Sequence, residues 1–167
     1  MKKIPFYLIC FLLLTAPLTC FSSDDSGDVK TKFGVLSANN ENTLEFNGKP
    51  VVPIVVGNNS LTLLDNFALG ESNVVLVRDD GGEACPAMYY FAKIGKQGVK
   101  ISDRFGSCSD LAKTKLVGGA IFVSMPDYSG DVDSRASVAK HLCRYKYENG
   151  AIKQLPPTNG RQFCTGD

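Results

Sequence analysis

From Lys32 onward, short apolar runs alternate with Gly, Asn, Pro and Asp at close intervals, a texture that predicts strands and turns. Leu44 and Phe46 share one face of a strand that ends at an Asn47-Gly48 turn. The run 51–56 (VVPIVV) is strongly β-branched, and Pro53 removes a backbone donor, which predicts a strand at a sheet edge or a bulge. Gly57-Asn58-Asn59-Ser60 is a further turn. The stretch 61–69 fits two periods: Leu61, Leu64 and Ala68 make a helical face, whereas Leu61 and Leu63 make a strand face. The run 73–78 (NVVLVR) is continuously apolar between its asparagine and its arginine, as expected of a central strand covered on both sides.

A Gly95-Lys96-Gln97-Gly98 turn organises the next segment. Folding about it sets Ile94 against Val99, Ala92 against Ile101 and Met88 against Phe105, one apolar face built from alternate residues. The same register sets Cys85 opposite Cys108, where Cα atoms about 4.5 Å apart fall within disulfide reach. Residues 120–125 (AIFVSM) follow Gly118-Gly119 as another strand, and 126–134 form a polar loop carrying Asp127, Tyr128, Asp131 and Asp133. Residues 137–142 fit either a helical turn or a strand. Strands at 144–147 and 151–155 flank Asn149-Gly150, a strong hairpin signal. Cys143, Tyr145 and Tyr147 share a face, Pro156-Pro157 ends the last strand, and Cys164 pins the tail. Elimination pairs Cys143 with Cys164, although the four cysteines beyond the first 22 residues allow three connectivities. The pattern predicts an all-β, mainly antiparallel domain over 33–167, a sandwich, barrel or bent meander of about seven to nine short strands. Two disulfides and at most one or two short helices complete it.

The first 22 residues read differently. Lys2 and Lys3 precede an apolar run over 6–16, and polar Ser22, Ser23, Asp24 and Asp25 follow. That is the layout of a secretory signal peptide, with a cut expected after Ser22. The run is shorter than the roughly 20 residues a membrane span needs. Leu18-Thr19-Cys20 partly resembles a bacterial lipoprotein signal, but Pro17 and Thr19 replace the usual residues, so a lipid anchor at Cys20 is the lesser reading. Residues 23–32 form a polar, flexible lead-in. Losing Lys2 and Lys3 from 18 cations leaves 16 against 17 acids, a net charge of −1 that gives no reason to expect nucleic acid or an anionic membrane as partner. Exported to the periplasm or beyond, the cysteines are expected oxidised.

Candidate chemistry is thin. His141 is the only histidine, which excludes a zinc site built on two, and oxidised cysteines ligate no metal, so neither metal nor cofactor is expected. No Gly-x-Ser-x-Gly elbow accompanies His141. Ser137-Val138-Ala139-Lys140 matches a Ser-x-x-Lys motif, but its companion 113–115 lies upstream and lacks the final glycine, so the match is discarded. Asn58-Asn59-Ser60 fits a glycosylation tripeptide, a common pattern in a chain whose leader looks bacterial. Carboxylates remain. Asp79, Asp80 and Glu83 sit before Cys85, and Asp127, Asp131 and Asp133 sit in the second loop. Such loops suit paired acid–base work or calcium, yet the second lacks the full calcium ligand series, and Asp in loops ordinarily caps its own turns.

The overall plan is similar, in organisation only, to exported inhibitor or immunity proteins: small, cystine-stapled, β-rich and poor in catalytic groups. It implies a non-enzymatic binding module presenting polar loops to another envelope or secreted protein. Expected contacts are Asp79, Asp80, Glu83, Asp127, Asp131 and Asp133, with Tyr128 and Arg135 as anchors. A lipid-anchored or soluble envelope accessory protein is the alternative, and a small carboxylate-dependent hydrolase the second.

Overall fold

A computed structural model describes residues 27–127, 142–156 and 164. The apolar run read as a central strand does lie at the centre. It is β6 (Ser72–Asp80), flanked by β5 (Ser60–Leu69) and β7 (Ala87–Gly95), with β8 (Gly98–Ile101) and β9 (Phe105–Cys108) both pairing the far edge of β7. On one side of this sheet lies a small sheet of β1 (Val29–Thr31), β2 (Gly34–Ala38), β3 (Leu44–Phe46) and β4 (Lys49–Pro50). On the other lies a sheet of β10 (Lys113–Val117), β11 (Ala120–Pro126), β12 (Leu142–Glu148) and β13 (Ala151–Gln154). Every pairing is antiparallel and joins strands close in sequence, so three meanders stack as layers.

The period of two builds two cores from one sheet. Val74, Leu76, Ala87, Tyr89, Phe91 and Phe105 pack against Ile121, Val123, Met125, Cys143, Tyr145 and Tyr147 of the third sheet. Val75, Val77, Ala92 and Ile94 face the opposite way, onto Leu36, Leu44, Val51 and Val55. The first core is aromatic, with Phe91 centred 4.5 Å from Tyr147 and 5.4 Å from Phe105. Each such fully buried side chain contributes about 1.5–3 kcal/mol of transfer free energy.

The ambiguous stretch 61–69 is strand, not helix. A bulge between Leu63 and Asn66 sets two residues, Leu64 and Asp65, against one on β6. It reverses the strand's facing: Leu61 and Leu63 join one core, Phe67 and Leu69 the other. That phase slip is why the apolar positions fit neither period alone.

Other details depart from the expectations. The thirteen strands among the described residues exceed seven to nine, because segments of two to five residues such as β1, β4, β8, β9 and β10 are too short to show a period. Val29–Thr31, placed in the polar lead-in, pairs with β2. The run 51–56 is a loop rather than a strand, bridged to the sheet between Val56 and Thr43 and hydrogen-bonded to Leu44 of β3. The expected hairpin register holds for Ile94 with Val99 and Ala92 with Ile101, then breaks. Ser102 takes over the ladder, receiving the Phe91 N–H on its hydroxyl and returning its own N–H to the Phe91 carbonyl. The chain re-enters at β9 with Tyr89 opposite Phe105 and Ala87 opposite Cys108, so Met88 does not meet Phe105. Cys108, at φ 64°, still reaches Cys85 with Cα atoms 4.6 Å apart. The second cystine joins Cys143 and Cys164, as elimination indicated. Turns at Asn47-Gly48 and Asn149-Gly150 adopt the positive φ values that the Asn-Gly hairpin requires.

Candidate functional site

Asp79 and Asp80 end β6, and strand alternation sends their side chains to opposite faces of the central sheet. Asp79 is buried, its side chain only 5% exposed. It accepts the Asn58 backbone N–H at 2.8 Å and the Arg104 guanidinium at 2.8 Å. Asp80 accepts the hydroxyls of Ser60 and Thr62, at 2.8 and 2.7 Å, and the Nε of Arg78. Burial by itself pushes the Asp80 carboxyl up, but the Thr62, Ser60 and Arg78 donors outweigh it and hold its pKa below the ordinary carboxylate value. The two carboxylates therefore do not converge on a shared point, and Asp80 is poorly suited to donate a proton near neutral pH.

Their bonds fasten the turn that follows. Asn59 donates its backbone N–H to the Asp80 carbonyl and its side-chain amide to the Gly81 carbonyl. Gly81 is needed for space: a Cβ there would fall on the backbone oxygen of Cys85. Glu83 is exposed at the tip of this turn. The cystine at Cys85 ties it to β9, where Ser107 donates its hydroxyl to the Pro126 carbonyl at 2.6 Å. Asp127 is thus brought to the same end of the molecule as the 79–85 turn. It lies close to Tyr145, whose phenol burial pushes up to about 12, with the Asp127 charge adding to the shift. The Tyr145 hydroxyl donates to the Gly106 carbonyl at 2.9 Å. Tyr128, Asp131, Asp133 and Arg135 lie outside the described residues, as do His141, Cys20 and the signal segment.

A feature the sequence reading assigned to a strand dominates this end instead. Val51 and Val55 insert into the core facing the first sheet, while Val52, Ile54 and Val56 point outward, 80%, 68% and 56% exposed. The loop is held at both ends by main-chain bonds: Val51 N–H to the Leu44 carbonyl, Leu44 N–H to the Val55 carbonyl, and Gly57 N–H to the Asn42 carbonyl. It runs straight into the turn at Asn58 and Asn59 that clamps Asp79 and Gly81. No polar residue marks the outward positions of VVPIVV, so the sequence did not tell ridge from core. Pro53 was the one signal that the segment leaves the ladder.

Among the described residues, no three His, Cys, Asp or Glu side chains gather as metal ligands, and no helix is long and apolar enough to cross a membrane. Fold and site define a three-layered antiparallel β protein with two cystines and an apolar ridge beside a hydrogen-bonded turn. Such cystines belong with an oxidising compartment, periplasmic or extracellular. No family model, curated protein or solved structure matches the chain.

Proposed function

We propose that the chain is an exported protein-binding module of the inhibitor or immunity type, which seats its apolar ridge and neighbouring turn in an enzyme partner. The observation that supports this reading is the outward set Val52, Ile54 and Val56 on a loop whose alternate residues are anchored in the core. Contiguous apolar side chains cost solubility and characterise recognition surfaces, and a pre-anchored loop loses little entropy on docking. Roles shift from those first expected. Asp79 and Asp80 brace the turn, Ile54 and Val52 supply the anchors, and Glu83 and Asp127 belong to the polar rim. The lipid-anchored reading rests on Cys20 alone. The hydrolase reading pairs an acid of the 79–83 turn with one of the second loop, whose Asp131 and Asp133 lie outside the described residues.

The test is affinity capture by the mature, oxidised protein from envelope and culture-supernatant fractions, followed by assay of the captured enzyme. One stoichiometric enzyme, inhibited on binding, is expected. Ile54→Asp weakens that complex by about tenfold or more while leaving the melting temperature within a few degrees. A complex that forms equally well with Ile54→Asp and Val52→Asp sinks the proposal, as does capture of peptidoglycan-bound material alone.

A further inference from the structure

The third sheet sorts its charges by register. Lys115, Phe122, Lys146 and Lys153 stand in one row across β10, β11, β12 and β13, and Lys113, Ser124 and Arg144 stand in the next. All seven belong to the face opposite the buried set Ile121, Val123, Tyr145 and Tyr147, so they point away from the central sheet. With Glu148 included, the described residues of this face hold five cations and one carboxylate, a local +4 in a chain of formal net charge +1, which leaves −3 for everything else. The overall balance hides this segregation.

Nothing in the fold calls for the arrangement. Lys146 and Lys153 are directly opposed in the β12–β13 ladder, a placement that costs stability through like-charge repulsion. The one carboxylate, Glu148, is already engaged by Lys146 at 2.8 Å. Lys113, Lys115 and Lys153 are exposed, and no described residue forms an ion pair with them. Over β12 and β13 the face is concave: Lys146, Glu148, Ala151, Lys153, Leu155 and Pro156 line a groove of about 720 Å³. Cations on neighbouring strands sit about 4.8 Å apart and those two residues apart on a strand about 6.8 Å, an extended lattice of point charges.

We propose that this face binds a linear acidic polysaccharide along the β12–β13 groove. Lysine predominates over arginine, which suits carboxylates or sulfates spread along a chain rather than bidentate phosphate recognition. The face's exposed apolar side chains, Val117 and Leu142, stand at opposite ends of the sheet and form no contiguous patch to enter a bilayer. Its one aromatic, Phe122, is half-buried beneath the Lys146 ammonium, 6.0 Å from the ring centre, and gives no open platform for stacking a base. The first sheet and the loop carrying Val52 and Ile54 lie on the other side of the central sheet, so this surface is separate from the one proposed for a protein partner.

Titration of the mature, oxidised protein with a fluorescent heparin-derived oligosaccharide tests it, with neutral dextran, single-stranded DNA and vesicles containing anionic lipid as parallel probes. Saturable binding that weakens steeply with salt is expected. Lys115→Glu with Lys153→Glu, two exposed sites that leave the core untouched, lowers affinity at least about tenfold. Ile54→Asp and the exposed pair Lys32→Glu with Lys49→Glu at the first sheet, across the central sheet, leave it unchanged. Equal affinity in the Lys115/Lys153 variant, or binding to dextran as strong as to the acidic chain, overturns the proposal. Tighter capture by DNA or by vesicles at matched charge overturns it as well and reassigns the face.

Discussion

Asp79 and Asp80 show how far a side chain's meaning depends on which way the strand turns it. Adjacent in sequence, they suggest a pair; in the sheet each has its own partners, Arg104 and Asn58 for one, Ser60, Thr62 and Arg78 for the other. The consequence for Asp80 is measurable. Its pKa in the folded protein lies below the ordinary 3.8, so the unfolded chain binds the proton more tightly. The stabilisation is therefore fully present above the unfolded value and is lost as pH falls through the folded one. Asp80→Asn removes the charge while keeping an acceptor, and lowers stability by about 1 kcal/mol at pH 7. Its stability also falls less steeply than wild type below about pH 4. Urea melts from pH 7 to pH 2 measure both; an acid limb as steep in the variant as in wild type rules out this role for Asp80.

At the scale of elements, the hairpin about Gly95 and Gly98 was legible near its turn, where alternate residues carry the register, and illegible beyond Ile101. There a side chain, the Ser102 hydroxyl, substitutes for a rung of the ladder, and composition gives no warning of it. The cystine compensates by joining β9 to the start of β7. Cys85 and Cys108 lie 23 residues apart, so removing their bond frees a loop whose closure is worth roughly 3 kcal/mol in the chain-entropy account. Replacing both with Ala should lower the unfolding free energy by about that amount, measured by denaturant titration at pH 7, and raise amide exchange first in β9. A loss below about 1 kcal/mol would mean that β9 holds its place without the cystine. The site was less legible than the fold. Turn chemistry pointed to the 79–85 segment, but the ridge of Val52, Ile54 and Val56 uses residue types that ordinarily mark a core, and only packing separates its two faces. The basic face was hidden for another reason: its row Lys115, Phe122, Lys146 and Lys153 draws on four strands and exists only once register is fixed.

At the scale of the whole molecule, the described residues cover the central sheet on both faces. β6 and β7 are covered by a core on each face and paired along both edges, whereas β1, β4, β10 and β13 each pair along one edge at the outside of a layer. Stability should follow that geometry. Opening the first sheet exposes Leu36 and Leu44 but leaves the aromatic core closed. Opening the third exposes Tyr145 and Tyr147 but leaves Val75 and Ile94 covered. Exposing the backbone of β6 requires both, which is global unfolding. Native-state hydrogen exchange should therefore find the amides of Val74, Val75, Leu76 and Val77, with those of Phe91 and Ala92, exchanging only at the global free energy. The amides of β1, and that of Lys49 in β4, should exchange at lower cost. Leu44→Ala, a buried truncation of about 2–5 kcal/mol, tests the coupling between layers. If the layers unfold as one unit, it lowers protection in β12 as much as in β2. If the first sheet opens by itself, protection falls chiefly in β1 to β4 while β12 keeps most of its own, and the central sheet is then the boundary between two cooperative units.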